Sequence, residues 1–301
     1  MKESVLTGLS ERGIAYRTEL DLGSVCTMRV GGVAELGVYP KSEEELADTV
    51  RLLRASGVRF YTVGKGSNLF FGDGRLKGAL ILTEGFSQIT LEGERLHAAS
   101  GATLAALASL AAENSLTGLE FARGIPGTLG GAVFMNAGAY GSSMENVIVS
   151  TRALDTETGE ILSLTDHGFG YRKSVYMAHP EWICLGAELA LAQGDRETIR
   201  ERMAELSQKR KASQPLELPG AGSYFKRPEG YFAGKLIEDA GLKGRRVGGA
   251  EISEKHAGFL VNRGGATATD ILMLEETVRD EVRNRFGVTL EREVRFIPTD
   301  D

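Results

Sequence analysis

Cysteine is almost missing from this sequence. Cys26 and Cys184 are the only two in 301 residues, too far apart in the chain for a CxxC pair and too few for a disulfide framework. The four histidines, His97, His167, His179 and His256, show no HExxH or other ligand spacing, so no metal site is expected. The phosphate-binding GxxxxGK motif, the dinucleotide fingerprint GxGxxG and the nucleophile elbow GxSxG occur nowhere. Positive charge is not in excess either. Lys and Arg number 35 against 41 Asp and Glu, a formal net charge of −6. That excludes a general basic surface for nucleic acid or anionic lipid and leaves only a local basic pocket. The opening MKESVLTGLSERG lacks the apolar run of a secretion signal, and no stretch approaches the ~20 apolar residues of a membrane span. A cytoplasmic protein without nucleic-acid or membrane partners is the expectation, with a monomer as the default.

Glycine is what the chain has in surplus: 39 residues, against a background near 7%. The surplus is clustered. Seven glycines fall in Gly57–Gly85, seven in Gly118–Gly141 and eleven in Gly220–Gly265, while Ala266–Asp301 holds one. With 42% hydrophobic and 25% charged residues the composition is that of a folded protein, and its length suggests two or three domains.

Periodicity divides the chain into α+β modules. Ser42–Ser56 reads as an amphipathic helix: Ser42 and Glu45 form a capping box, Leu46, Val50 and Leu53 a stripe, and Gly57 a stop. Flanking strand-like runs, Ala34–Tyr39 and Val58–Val63, suggest βαβ. GKGSNLFFGDG then reads as loop throughout. Ala79–Thr83 is a short strand, Gln88–Ser100 two strands around Glu92–Glu94, and Ala102–Leu116 a helix. Val147–Leu154 and Glu160–Leu164 form a hairpin, Trp182–Ala192 a strand and Asp195–Lys211 a charged helix. Past the prolines of QPLELPGAGSYFKRP come a helix at Tyr231–Ala240, strands at Val247–Ile252 and His256–Val261, and a helix at Thr269–Phe286. The closing VTLEREVRFI alternates: Val288, Leu290, Val294 and Phe296 share one face, and Thr289, Glu291, Glu293 and Arg295 the other. The expected modules are 1–83, 84–211 and 212–301.

Two glycine loops admit chemistry. Gly64-Lys65-Gly66-Ser67-Asn68 follows a strand and fits either a phosphate approached by bare backbone or a tight surface turn. In Gly118–Gly141, Pro126 fixes φ while Gly124, Gly127, Gly130 and Gly131 keep side chains away. This predicts a rigid strip with free N–H donors at Thr128–Ala132, at a helix start. Close packing of helix on sheet explains the same glycines equally well. Two such loops in successive modules favour one extended ligand.

The ordered set YTVGKGSNLFF, ARGIPGTLGGAVFMNAGAYG, FGYRKSVY, GAGSYFKRP, KLIEDAGLKG, VGGAEISEKHAGFLVN and LEREVRFI resembles the UDP-N-acetylenolpyruvoylglucosamine reductases of bacterial cell-wall precursor synthesis, over nearly the whole chain. The resemblance implies an oxidase-type FAD-binding fold in the first two modules, with no Rossmann fingerprint, and a substrate-binding third domain. It implies non-covalent FAD, NADPH as co-substrate, and UDP-N-acetylglucosamine enolpyruvate as the substrate reduced. Gly64, Lys65, Gly66, Ser67 and Asn68 would cradle FAD together with Gly124, Ile125, Pro126, Gly127, Thr128, Gly130, Gly131 and Ala132, and with Asn136, Gly138 and Ala139 nearby. Arg172 would grip the substrate carboxylate and stabilise the enolate. Ser223 would protonate C2, and Glu293, as an acid with a raised pKa, would act with Arg172.

Substrate contacts implied by the family are Tyr171, Lys211, Arg227, His256 and Asn262. Taken without the resemblance, Arg172 reads as a loop arginine, Ser223 as a turn residue and Glu293 as a solvated carboxylate on a strand. Likewise His256 reads as a hydrogen-bonded turn histidine, and Lys211 in QKRK as a solvated helix end. No insertion between Arg172 and Ser223 carries the tyrosine loop of longer relatives, so the chain resembles the shorter, second type. A covalent flavin oxidase is the rival of the same fold, weakened because neither glycine loop contains histidine. A binding module that has lost its reaction is the rival from another class, disfavoured by the joint presence of Arg172, Ser223 and Glu293.

Overall fold

A computed structural model describes residues 1–300. The described chain forms two compact units: residues 1–18, 36–65 and 78–209 make the first, and residues 19–35, 66–77 and 210–300 the second. Among the described residues no helix is long and apolar enough to cross a membrane.

The first unit carries helix α1 (Glu3–Glu11) and helix α2 (Glu43–Ala55). Helix α2 is capped as its sequence requires: the Ser42 hydroxyl accepts from Glu45 N at 3.1 Å, and Leu46, Val50 and Leu53 are buried. The strand Val33–Tyr39 before it and the strand Phe60–Val63 after it are not adjacent. The strand Arg75–Leu82 lies between them, pairing parallel with Phe60–Val63 (Phe60↔Ala79 to Val63↔Leu82). The expected βαβ unit therefore has a strand inserted.

A five-stranded antiparallel sheet follows, in the order Ile161–Leu164, Ile148–Asp155, Trp182–Ala190, Arg95–Ala99, Ile89–Glu92. Its neighbours are α3 (Leu104–Glu113), α4 (Leu129–Met135), the single turn α5 (Val175–Ala178) and α6 (Arg196–Ser213). Leu96, Leu104, Leu107, Leu129, Val133 and Leu189 are completely buried in the core of this part. A second core joins α1 and α2 through Val5, Leu9, Leu36, Leu46 and Leu53.

The second unit holds a four-stranded antiparallel sheet with Gly220–Ser223, Phe259–Asn262, Ala250–Ile252 and Arg246–Val247 in that order, and helices α7 (Ala233–Asp239) and α8 (Ala268–Phe286). Asp73 anchors α8, accepting from Ala268 N at 2.6 Å, Thr269 N at 3.0 Å and the Thr269 hydroxyl at 2.9 Å.

Three expectations are corrected. GKGSNLFFGDG is not loop throughout: Leu69–Phe71 pairs in parallel with Arg295–Ile297, because apolar Phe70 and Phe71 are fully buried. Only the last three residues of the closing alternation form a strand, although Leu290 and Val294 are buried as the period predicts. The run Val247–Ile252 is a hairpin instead of one strand, because Gly248 takes a φ of +51° and reverses the chain.

Candidate active site

In the first unit the two glycine loops meet. A Cβ on Gly64 would overlap the Thr128 hydroxyl, and one on Gly130 would stand 2.9 Å from the Ser100 Cβ. The bare backbone at both positions is thus required by close approach. Of the five donors expected to be free at Thr128–Ala132, three are taken within the protein. Leu129 N donates to Ala102 O at 2.8 Å, Gly130 N to Ser100 O at 2.8 Å and Ala132 N to Thr128 O at 2.9 Å. What remains unmatched are two hydroxyls. Thr128 Oγ1 and Ser100 Oγ are buried with no hydrogen-bond partner among the described residues, a costly state for a protein interior unless a ligand completes it. Lys65, Gly124, Pro126 and Gly131 are exposed, while Ile125, Gly127, Gly138 and Ala139 are half-buried.

Asn136, expected near the cofactor, is 2% exposed and caps α4 with φ +42°. Its amide nitrogen donates to Gly170 O at 3.0 Å and its carbonyl oxygen accepts from Glu145 N at 3.0 Å. It therefore braces the Arg172 loop. Two more bonds hold that loop: the Ser174 hydroxyl donates to Phe134 O at 2.7 Å, and Arg172 Nη2 to Gly138 O at 3.3 Å.

Tyr171 and Arg172 form the tip of a tight turn closed by reciprocal bonds between Gly170 and Lys173. Arg172 has φ +54°, a conformation that costs a side chain of this kind about 1 kcal/mol or more. Its guanidinium sits 5.1 Å from the Tyr171 ring centroid. Arg172 is thus a strained, half-buried arginine pinned to the end of the glycine strip.

In the second unit Ser223 ends the strand Gly220–Ser223, just past Gly222 at φ +77°, and is exposed. Glu293 N donates to Tyr224 O at 2.9 Å, so Ser223 and Glu293 belong to adjoining segments despite their separation in sequence. Asn68 joins them: its Nδ2 donates to Glu293 O at 3.3 Å and its carbonyl accepts from Arg295 N at 2.9 Å. Gly66 is buried at φ +59°, where a Cβ would overlap Val25 O.

The expected substrate contacts of this unit divide. Arg227 is exposed and lies over the Phe232 ring at 3.9 Å. Lys211 is exposed near the end of α6. His256 is a turn residue whose Nδ1 accepts from Gly258 N at 3.0 Å, and burial lowers its pKa. Asn262 is 5% exposed, its Nδ2 donates to Met28 O at 3.1 Å, and its Oδ1 accepts from Gly264 N at 2.8 Å and Ala266 N at 3.2 Å, so its amide is taken up by backbone.

These features coincide with known families. Residues 34–165 match the FAD binding domain family, and residues 214–297 match the C-terminal domain of UDP-N-acetylenolpyruvoylglucosamine reductase. The reductase of Exiguobacterium sibiricum is 44% identical over 99% of this chain and 98% of its own. That of Caldanaerobacter subterraneus subsp. tengcongensis is 44% identical over 90% of each. The chain belongs to the UDP-N-acetylenolpyruvoylglucosamine reductase family. The crystal structure of the Thermus caldophilus reductase superposes with a TM-score of 0.80 at 35% identity, covering 95% of this chain and 99% of that one.

The fold is accordingly α+β with an oxidase-type FAD-binding domain, not a Rossmann fold. A bound cofactor fits on local grounds too: Thr128, packed against Gly64, and Ser100, packed against Gly130, each bury a hydroxyl with no hydrogen-bond partner among the described residues, which a ligand would satisfy. Ser100 was invisible to motif reading, since it lies outside both glycine clusters. Only Gly101 beside it, with no room for a Cβ, hints that the backbone is crowded there.

Proposed function

We propose that this chain is an NADPH-dependent, FAD-containing reductase that converts UDP-N-acetylglucosamine enolpyruvate to UDP-N-acetylmuramate. The observation that carries the reading is the adjoining of the Ser223 and Glu293 segments through the Glu293–Tyr224 backbone bond. When bound, FAD would supply a two-electron carrier that passes hydride equivalents from NADPH to C3 of the enolpyruvyl group. Gly64 to Asn68 and the Gly124–Ala132 strip would hold the cofactor non-covalently, with the partnerless Thr128 and Ser100 hydroxyls free to hydrogen-bond it.

Arg172 holds the substrate carboxylate and stabilises negative charge developing at C2, a preorganised cation where charge appears. Its turn is already in place, so little reorganisation accompanies the reaction. Ser223 delivers its hydroxyl proton to C2, and Glu293 stabilises the enolic carboxylate. Tyr171, Lys211, Arg227 and His256 contact the substrate. Three modules, 1–83, 84–211 and 212–301, organise these roles in a cytoplasmic monomer of the shorter type, without the tyrosine loop.

Anaerobic stopped flow tests the reading in two halves. NADPH should bleach the yellow protein, and the enolpyruvyl substrate should restore its colour. A protein that bleaches but recovers only with oxygen would instead be an oxidase.

A further inference from the structure

Glu275 lies in the middle of α8 with its side chain 4% exposed. The Tyr224 hydroxyl donates to its Oε2 at 2.8 Å, and Arg292 Nε stands 2.9 Å from the same oxygen. Arg279, one helical turn on, approaches Oε1 at 3.6 Å. Arg292 Nε and Glu275 Oε1 lack an aligned hydrogen bond, so the contacts to arginine are chiefly Coulombic. Burying a carboxylate this way is a poor means of stabilising a core compared with apolar residues of the same volume. Its value lies in the geometry it enforces.

Both arms of the cluster end beside the proton-handling residues. Tyr224 directly follows Ser223, and Arg292 directly precedes Glu293. The two segments run alongside each other. Glu293 N donates to Tyr224 O at 2.9 Å, Lys226 N donates to Glu291 O at 2.8 Å, and Phe225 bridges Arg292. Lys226 also pairs with Glu291 at the exposed end. Backbone bonds set the register of the segments. The buried carboxylate ties together the side chains that project from them. Burial, reinforced by the neighbouring carboxylate, raises the Tyr224 pKa and keeps its hydroxyl a donor.

We infer that Glu275 is a positioning residue, which through the Tyr224 hydroxyl and Arg292 fixes the spacing of Ser223 and Glu293 for protonation of the reduced substrate. The inference rests on the function proposed above and assigns Glu275 no contact with substrate or cofactor. It separates the two half-reactions. Hydride uptake from NADPH needs neither Ser223 nor Glu293, whereas protonation needs both in register.

The test uses the FAD-loaded protein and Glu275→Gln, which keeps an acceptor for Tyr224 and removes the charge that holds Arg292. Bleaching by NADPH should stay within about twofold of wild type, while recovery with enolpyruvyl substrate slows about 10- to 100-fold, the expected effect of a displacement near 1 Å. Independently of turnover, amide exchange in a peptide spanning residues 290–296 should quicken about tenfold as the segment loosens. Tyr224→Phe, which deletes one hydroxyl from a retained ring, should shift recovery and exchange in the same directions, and it carries the test if Glu275→Gln does not fold.

Equal slowing of both halves, faster exchange with normal recovery, or slow recovery without faster exchange overturns the inference. Wild-type protein that bleaches but never recovers with the enolpyruvyl compound overturns the proposed function, and the inference with it. Normal recovery in wild type and in both variants overturns the inference alone.

Discussion

The backbone amide of Glu293 donates to the carbonyl of Tyr224 at 2.9 Å. That bond joins the segment just before the strand Arg295–Ile297 to the turn carrying Ser223, and Glu293 is half-buried there instead of freely solvated. Ser223→Ala is therefore expected to leave NADPH bleaching intact and slow substrate-driven recovery about 100-fold or more, the usual scale of a lost proton donor. Glu293→Gln should likewise spare the NADPH half. Stopped-flow traces of the two halves check both, and equal damage to each half would remove the proton-donor assignment.

Gly64 and Thr128 predict a double-mutant rescue. Gly64→Ala places a methyl group on the Thr128 hydroxyl and should cost about 1–3 kcal/mol, the range for overpacking. It should also weaken FAD retention. In Gly64→Ala/Thr128→Ala the nearest obstruction is gone, so stability of the FAD-free protein should recover while FAD affinity does not. Thermal melts with and without FAD read the two effects separately, and strict additivity would show that the residues do not meet.

Asn136→Ala removes the bridge from α4 to Gly170 and Glu145. The two abandoned backbone groups make a loss of about 2–4 kcal/mol the expectation. With the Arg172 turn no longer braced, kcat should fall in whatever molecules remain folded, with little change in bound flavin. Denaturant melts and flavin absorbance measure these outcomes. Loss of flavin at unchanged stability would mean that Asn136 touches the cofactor after all.

Asp73→Ala should act on stability alone. Its carboxylate satisfies the first amides of α8, and a lost cap of this kind costs about 1–2 kcal/mol. The melting temperature should drop while flavin binding stays as in wild type.

His167 predicts a pH effect. It is 6% exposed and stacked on Phe169 at 4.9 Å, and burial holds its pKa below the ordinary 6.5. A depressed imidazole pKa means that the unfolded chain binds the proton more readily. Stability is therefore unaffected well above 6.5 and declines as pH falls below it, down to the folded-state pKa. Melting curves between about pH 7 and 5 should show this decline, and His167→Leu should flatten it. An unchanged slope in that variant would assign the decline to other groups.

Local signals account for much of what could be read beforehand. The Ser42 cap, the Leu46–Leu53 stripe and the hairpin between Ile148–Asp155 and Ile161–Leu164 depend on neighbours in the chain, so period and capping chemistry alone determine them. The glycine clusters also declared that backbone must come close to something. Which partner it was could not be read locally. At Gly130 it is Ser100, at Gly64 it is Thr128, and the amides of Leu129 and Gly130, expected to be free, are taken by carbonyls from another segment.

The same division holds for the chemistry. Residue type and motif order sufficed to nominate Arg172, Ser223 and Glu293. The bracing by Asn136, the adjoining of Ser223 and Glu293 and the buried carboxylate of Glu275 all depend on long-range pairings. No short window of sequence encodes such pairings, because each is set by the packing of distant segments into a shared core.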